Sequence, residues 1–140
     1  MRLSRSFELN RPRDEATPLL CCDETLIGLF PDSETEIIES TGDRRTTRTR
    51  YSALGREGTA TFHFTFLLDG DVHFEKVCDG VVWTELSGRL TIVDRGAASR
   101  LTIEMQGRTK PLIPEFTVKG QLEKQLEQMT AALKRRLEGP

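Results

Sequence analysis

Histidine occurs only twice in the 140 residues, tryptophan and tyrosine once each, and cysteine three times. Two of the cysteines, Cys21 and Cys22, are adjacent, and no CxxC or Cys/His spacing is present. A disulfide framework and a zinc site are thereby excluded, and a reduced, cytoplasmic setting is the expectation. No apolar run has signal-peptide length at "MRLSRSFELN", and none approaches the ~18 residues of a membrane span. A formal net charge of −2 gives no footprint for nucleic acid. GxSxG, HExxH, Walker and GxGxxG signatures are all missing, so none of the chemistries those motifs position is indicated. There is also no repeat, low-complexity segment or linker, and residues 1–140 read as one domain.

What the sequence has is alternation. "TATFHFTFLLDGDVHFEKV" places Phe62, Phe64 and Phe66 at every second position, turns at Asp69-Gly70, and resumes with Val72 and Phe74. Period two runs almost unbroken from Thr35 to Gly107. It is interrupted at Thr41-Gly42-Asp43, Gly55-Arg56-Glu57-Gly58, Asp69-Gly70, Asp79-Gly80 and Arg95-Gly96. These breaks are expected to be hairpin turns joining six antiparallel strands, at about 35–40, 45–54, 58–68, 71–78, 81–93 and 99–107. Before them, Leu3, Phe7 and Leu9 alternate as a first strand. Two short helices follow, one opening at Asp14 or Thr17-Pro18 and the other at Asp23-Glu24, the second stopped by Pro31. A long helix is expected at about Pro114–Leu137, with Val118, Leu122, Leu126, Met129, Leu133 and Leu137 within an arc of about 100°. That stripe is the natural cover for the phenylalanines. Gly120 is a costly residue inside such a helix and implies a close approach or a bend.

This order is that of an α+β helix-grip fold: a curved seven-stranded antiparallel sheet wrapped around a long C-terminal helix, with two short helices after strand 1. The chain resembles the START-domain and birch-pollen-allergen (SRPBCC) superfamily. The likeness rests on "SFELNRPRDEATPLLCCDETLIGLFPDSE", "VVWTELSGRLTI" and the Pro-led "PLIPEFTVKGQLEKQLEQMTAALKRRL", and spans about residues 2 to 138. Within the superfamily it is similar to bacterial single-domain members, such as the polyketide cyclase/dehydrase proteins and the START-like proteins associated with carbon monoxide dehydrogenase. The resemblance implies a cavity between sheet and helix that accepts lipids, sterols, polyketides or plant hormones.

Turn lengths predict a register. Pairing Leu54 with Thr59 sets Tyr51 opposite Phe62, Thr49 opposite Phe64 and Thr47 opposite Phe66. A three-residue loop with Gly70 in the left-handed position pairs Phe62 with Lys76, Phe64 with Phe74 and Phe66 with Val72. Phe74 is then set opposite Leu86, Leu86 opposite Gly107, and Met105 beside Gly88. The expected row Tyr51-Phe62-Lys76-Thr84-Thr109 joins a phenol, an ammonium and two hydroxyls at one end of an apolar trough. Residues expected to line it are Thr49, Tyr51, Phe62, Phe64, Phe66, Phe74, Lys76, Thr84, Leu86, Met105, Glu115, Leu122, Leu126 and Met129. Glu115 is included because it falls inside the apolar arc of a helix starting at Pro114. The same register turns His63 outward beside Arg50 and Glu75, and His73 outward beside Thr65. Trp83 takes the opposite parity from Leu86, an outer or edge position. No catalytic residue, metal or cofactor is indicated. The expected partner is a hydrophobic or amphiphilic small molecule, carried or sensed. The alternatives are a polyketide cyclase/dehydratase-type enzyme using the same cavity and an adaptor that binds protein. The sequence sets no oligomeric state, and a monomer suffices.

Overall fold

A computed structural model describes residues 1–53, 56–78 and 81–138. The elements are β1 (Arg2–Leu9), α1 (Arg13–Leu20), α2 (Asp23–Ile27), β2 (Glu34–Thr41), β3 (Arg44–Ala53), β4 (Arg56–Phe66), β5 (Val72–Lys76), β6 (Trp83–Arg95), β7 (Ala98–Thr109) and α3 (Phe116–Glu138). All strand pairs are antiparallel in the order β1-β7-β6-β5-β4-β3-β2. The chain therefore has the helix-grip architecture: a curved seven-stranded sheet, a long C-terminal helix, and two short helices inserted after the first strand.

Acidic residues open both short helices, Asp14 and Glu15 in α1, Asp23 and Glu24 in α2, where free amides favour negative charge. Leu122, Leu126, Met129, Leu133 and Leu137 form the buried stripe of α3. They pack with the inward residues of the strands and with Leu20, Leu26 and Leu29 into one core. Gly120 is neither a close approach nor a squeeze, since a Cβ there would meet nothing within 4 Å.

The β4–β5 register is the expected one, with Phe62↔Lys76, Phe64↔Phe74 and Phe66↔Val72. Gly70, at φ +92°, supplies the left-handed residue that this turn demands. Elsewhere the expected register is corrected. β4 begins at Arg56, which pairs with Ala53, so each β3 residue meets a β4 residue four positions earlier than a loop at 55–58 would allow. Leu54 and Gly55 lie outside the described residues, as does the expected turn at Asp79-Gly80. Thr47 consequently faces Phe62, Thr49 faces Ala60 and Tyr51 faces Gly58. Phe74 pairs with Gly88 rather than Leu86, while Leu86↔Gly107 and Gly88↔Met105 stand as expected.

A bulge between Trp83 and Glu85 makes Thr84 the extra residue and pairs Trp83 with Thr109. This reverses parity at the start of β6: Trp83 moves to the inner side and the exposed Thr84 instead donates its hydroxyl to the Arg108 carbonyl (3.0 Å). Three aromatic rings rest on strand glycines. A Cβ at Gly58 would stand 2.7 Å from the Tyr51 ring, one at Gly88 2.2 Å from Phe74, and one at Gly107 2.7 Å from Trp83. No side chain could occupy these positions without displacing a ring.

Candidate functional site

Alternation puts Phe62, Phe64 and Phe74 on the inner face, and Phe30, from the segment between α2 and β2, joins them. Ring centroids are 5.4 Å apart for Phe30–Phe62, 6.2 Å for Phe62–Phe64, 5.9 Å for Phe64–Phe74 and 6.4 Å for Phe62–Phe74. With Leu126 and Met129 above, this middle of the trough is filled by protein: Phe64 is 1% exposed and Phe74 2%. Phe64, Phe74, Met105, Leu126 and Met129, expected to line a cavity, are here core residues.

Space remains at one end. A cavity of about 600 Å³ lies between the first half of α3 and the strand ends. Phe30, Phe62, Trp83, Leu86 and Leu122 supply its apolar wall, and Thr49, Tyr51, Lys76, Lys124 and Gln125 its polar groups. Of the expected lining residues, Thr49, Tyr51, Phe62, Lys76, Leu86 and Leu122 are brought together there. Thr84 is removed by the bulge. Phe66 lies at the opposite end of β4, with the Arg45 guanidinium 5.3 Å over its ring. Glu115 precedes α3, is 48% exposed at its side chain, and pairs with the Met1 amino group at 3.5 Å. Phe30 and Trp83 join the wall without having been expected there. Phe30 stands in no periodic segment, and Trp83 could be placed only by knowing the bulge.

Tyr51 and Lys76 share the cavity but not a row. Lys76 is in the row Thr47-Phe62-Lys76, and Tyr51 sits across from Gly58, four residues along β4. Their Cα atoms are thus separated by about 16 Å, from strand rise and spacing, too far to grip one carboxylate. Tyr51 also borders an outer hollow of about 660 Å³ with Arg50 and Glu57. On the inner face of the neighbouring strand, the Thr49 hydroxyl is hydrogen-bonded to that of Thr35 (2.9 Å).

The histidines are elsewhere. His63 pairs with Thr46 and Glu75 on the outer face, its Nδ1 2.8 Å from the Thr46 hydroxyl. Arg50, expected beside it, pairs with Thr59 because of the four-residue shift. His73 is opposite Thr65, as expected, and opposite Arg89. Among the described residues no three His, Cys, Asp or Glu side chains are grouped to hold a metal ion. Cys21 and Cys22 bridge α1 and α2, and burial, followed by the charge of Cys22, pushes the Cys21 thiol above its ordinary range. A raised thiol is a poor nucleophile at neutral pH.

The fold is that of the SRPBCC/START-like class. The structure is similar to a START superfamily protein from Mycobacterium smegmatis, with a TM-score of 0.76 and 20% identity over 98% of this chain and 97% of that one. It is similar to the Zhui aromatase/cyclase from Streptomyces sp. R1128, with a TM-score of 0.76 and 15% identity over 99% and 92% of the two chains. A STAR-related lipid transfer protein from Xanthomonas axonopodis matches with a TM-score of 0.70 and 19% identity over 99% and 86%. No protein-family model and no curated protein sequence matches. Among the described residues no helix is long and apolar enough to cross a membrane.

Proposed function

We propose that this chain binds a hydrophobic or amphiphilic small molecule, a lipid, polyketide or related compound, in the cavity between the sheet and α3, as a carrier or sensor. The observation that carries this reading is the cavity wall: about 600 Å³ bounded by Phe30, Phe62, Trp83, Leu86 and Leu122, with a few polar groups among them. That size and composition suit a ligand of drug-like or larger dimensions. A lipid transfer protein and an aromatase/cyclase among the similar folds are consistent with it. Carriage is favoured over catalysis because neither histidine lines the cavity. Its one carboxylate among the described residues, Asp32, already accepts a hydrogen bond from Gln128 (3.0 Å). The aromatase/cyclase likeness favours a second reading, a cyclase/dehydratase, in which Lys76 and Tyr51 would have to move the protons.

Lys76 is the polar anchor. Its ammonium facing a ligand carboxylate gains a charge-assisted hydrogen bond of about 1.5–3 kcal/mol if partly desolvated, and almost nothing if it reaches into water. Trp83, the single tryptophan, lines the cavity and reports binding by its fluorescence. Titration of wild type and Lys76→Met with a matched fatty acid and fatty alcohol is the test. The expected result is a loss of about tenfold or more for the acid, near 1.4 kcal/mol, with the alcohol unaffected. Equal changes for both ligands would remove Lys76 as anchor. No Trp83 response to either ligand, with no adduct in native mass spectrometry of the freshly purified protein, would overturn the binding reading itself.

A further inference from the structure

One buried group at the edge of the cavity breaks an ordinary rule of protein interiors. Thr47 is 0% exposed, yet its hydroxyl has no hydrogen-bond partner among the described residues. Buried hydroxyls without partners are rare, because water is surrendered and nothing replaces it. A valine would fill the same volume without that loss. Thr47 does not line the cavity, but its surroundings do. Thr49, two residues along β3, lines it, and so does Phe62, directly across on β4. Thr47, Thr49 and Phe62 share the inner face of the sheet.

Phe30 stacks on Phe62, with the ring planes 27° apart and the centroids 5.4 Å apart. Of the four clustered rings it is the one that belongs to no strand, and it sits in the segment between α2 and β2. That segment is tied to α3 through the exposed Gln128–Asp32 hydrogen bond. Admitting a flat ring between two others requires roughly 7 Å, twice a van der Waals contact, so Phe30 would have to move outward by about 2 Å. Phe62 is fixed by its strand neighbours, and movement falls to Phe30.

We propose that Phe30 is the movable wall of the cavity, and that the slot it opens against Phe62 admits an aromatic ring whose hydroxyl or carbonyl oxygen pairs with the Thr47 hydroxyl. Threonine can donate and accept, so it reads an oxygen of either kind. Thr49 cannot replace it without breaking its bond to Thr35. The inference rests on the reading of the cavity as a small-molecule site and names a ligand class for it. Lys76, on the other side of Phe62 in the same row, is left for a second polar group of the same molecule.

The experiment uses 2-naphthol and 2-methylnaphthalene, equal in shape and different only in the oxygen, with binding followed by the anisotropy of their own fluorescence. Wild type should prefer 2-naphthol by about fivefold or more, near 1 kcal/mol. Thr47→Val should abolish that preference by weakening 2-naphthol alone, with the ligand-free Tm unchanged or raised, and Thr47→Ser should retain it. In wild type, 2-naphthol should shift the NMR signals of the Thr47 methyl and the Phe30 ring. Three outcomes overturn the proposal: a preference that survives Thr47→Val, a preference lost in Thr49→Val but kept in Thr47→Val, or equal binding of both compounds by wild type. In each of these the cavity still binds an apolar ligand. Binding of neither compound would overturn the proposal together with the small-molecule reading beneath it.

Discussion

The two ends of the trough between sheet and α3 use charge in opposite ways. Around the β4–β5 turn three arginines are committed. Arg89 donates to Asp71 at 2.9 and 2.7 Å, and Arg13 donates to the Ile92 carbonyl at 3.0 Å and to the Asp69 carbonyl. Arg45 bonds Asp23 at 3.0 Å while covering Phe66. The Arg13 and Arg45 contacts tie α1 and α2 to the sheet. At the cavity end, Lys76 and Lys124 line open space, and among the described residues neither is ion-paired. Arginine, with its fixed fork of donors, serves the closed end, and flexible lysine faces the cavity. Packing and open space are thus lodged in different places, and substitutions can move one without the other.

The largest effect should come from the filled middle. Phe64→Ala removes a ring that is 1% exposed and touches two others, and should cost about 3–5 kcal/mol by chemical denaturation. A much smaller loss would mean that the middle borders usable space, and the division between packed core and cavity would break. Next comes the closed end. Asp71→Asn keeps the shape but weakens the Arg89 bonds, and should cost about 1–3 kcal/mol, toward the lower figure because the Arg89 side chain is 42% exposed. Its affinity for a fatty acid, read through Trp83, should match wild type, and a change in affinity would show that the two ends are coupled. Gly120→Ala should raise stability by up to about 1 kcal/mol, since a Cβ meets nothing there and an expensive helix glycine is removed. A loss instead would mean that the glycine serves a motion of α3. The smallest effect belongs to the outer face, where His63→Gln exchanges one hydrogen-bonding partner of Thr46 for another and should cost under ~1 kcal/mol, with ligand binding intact. Loss of binding without unfolding would return the histidine to function.

Where a turn is short and its glycine unambiguous, local pattern sets neighbours residue by residue, and the β4–β5 pairing around Gly70 is of this kind. The β3–β4 hairpin offered two glycines, Gly55 and Gly58. Reading both as loop shifted the pairing by four, because Gly58 is in fact a strand residue lying beneath the Tyr51 ring. A glycine that makes room for an aromatic and a glycine that makes a turn look alike in a sequence. The bulge at Thr84 is equally silent: one extra residue exchanges Thr84 for Trp83 on the cavity wall without disturbing the alternation on either side.

Periodicity alone determined the seven strands, the three helices, the apolar stripe of α3 and the facing of Phe62, Phe64 and Phe74, because each depends on contacts repeated every two or 3.6 residues. How far the trough is filled was decided only by tertiary structure. The cavity wall depends on where Phe30 comes to rest on Phe62, where a bulge turns Trp83 inward, and where strand ends and α3 diverge. These are meetings between segments far apart in the chain, each set by close packing rather than by local pattern.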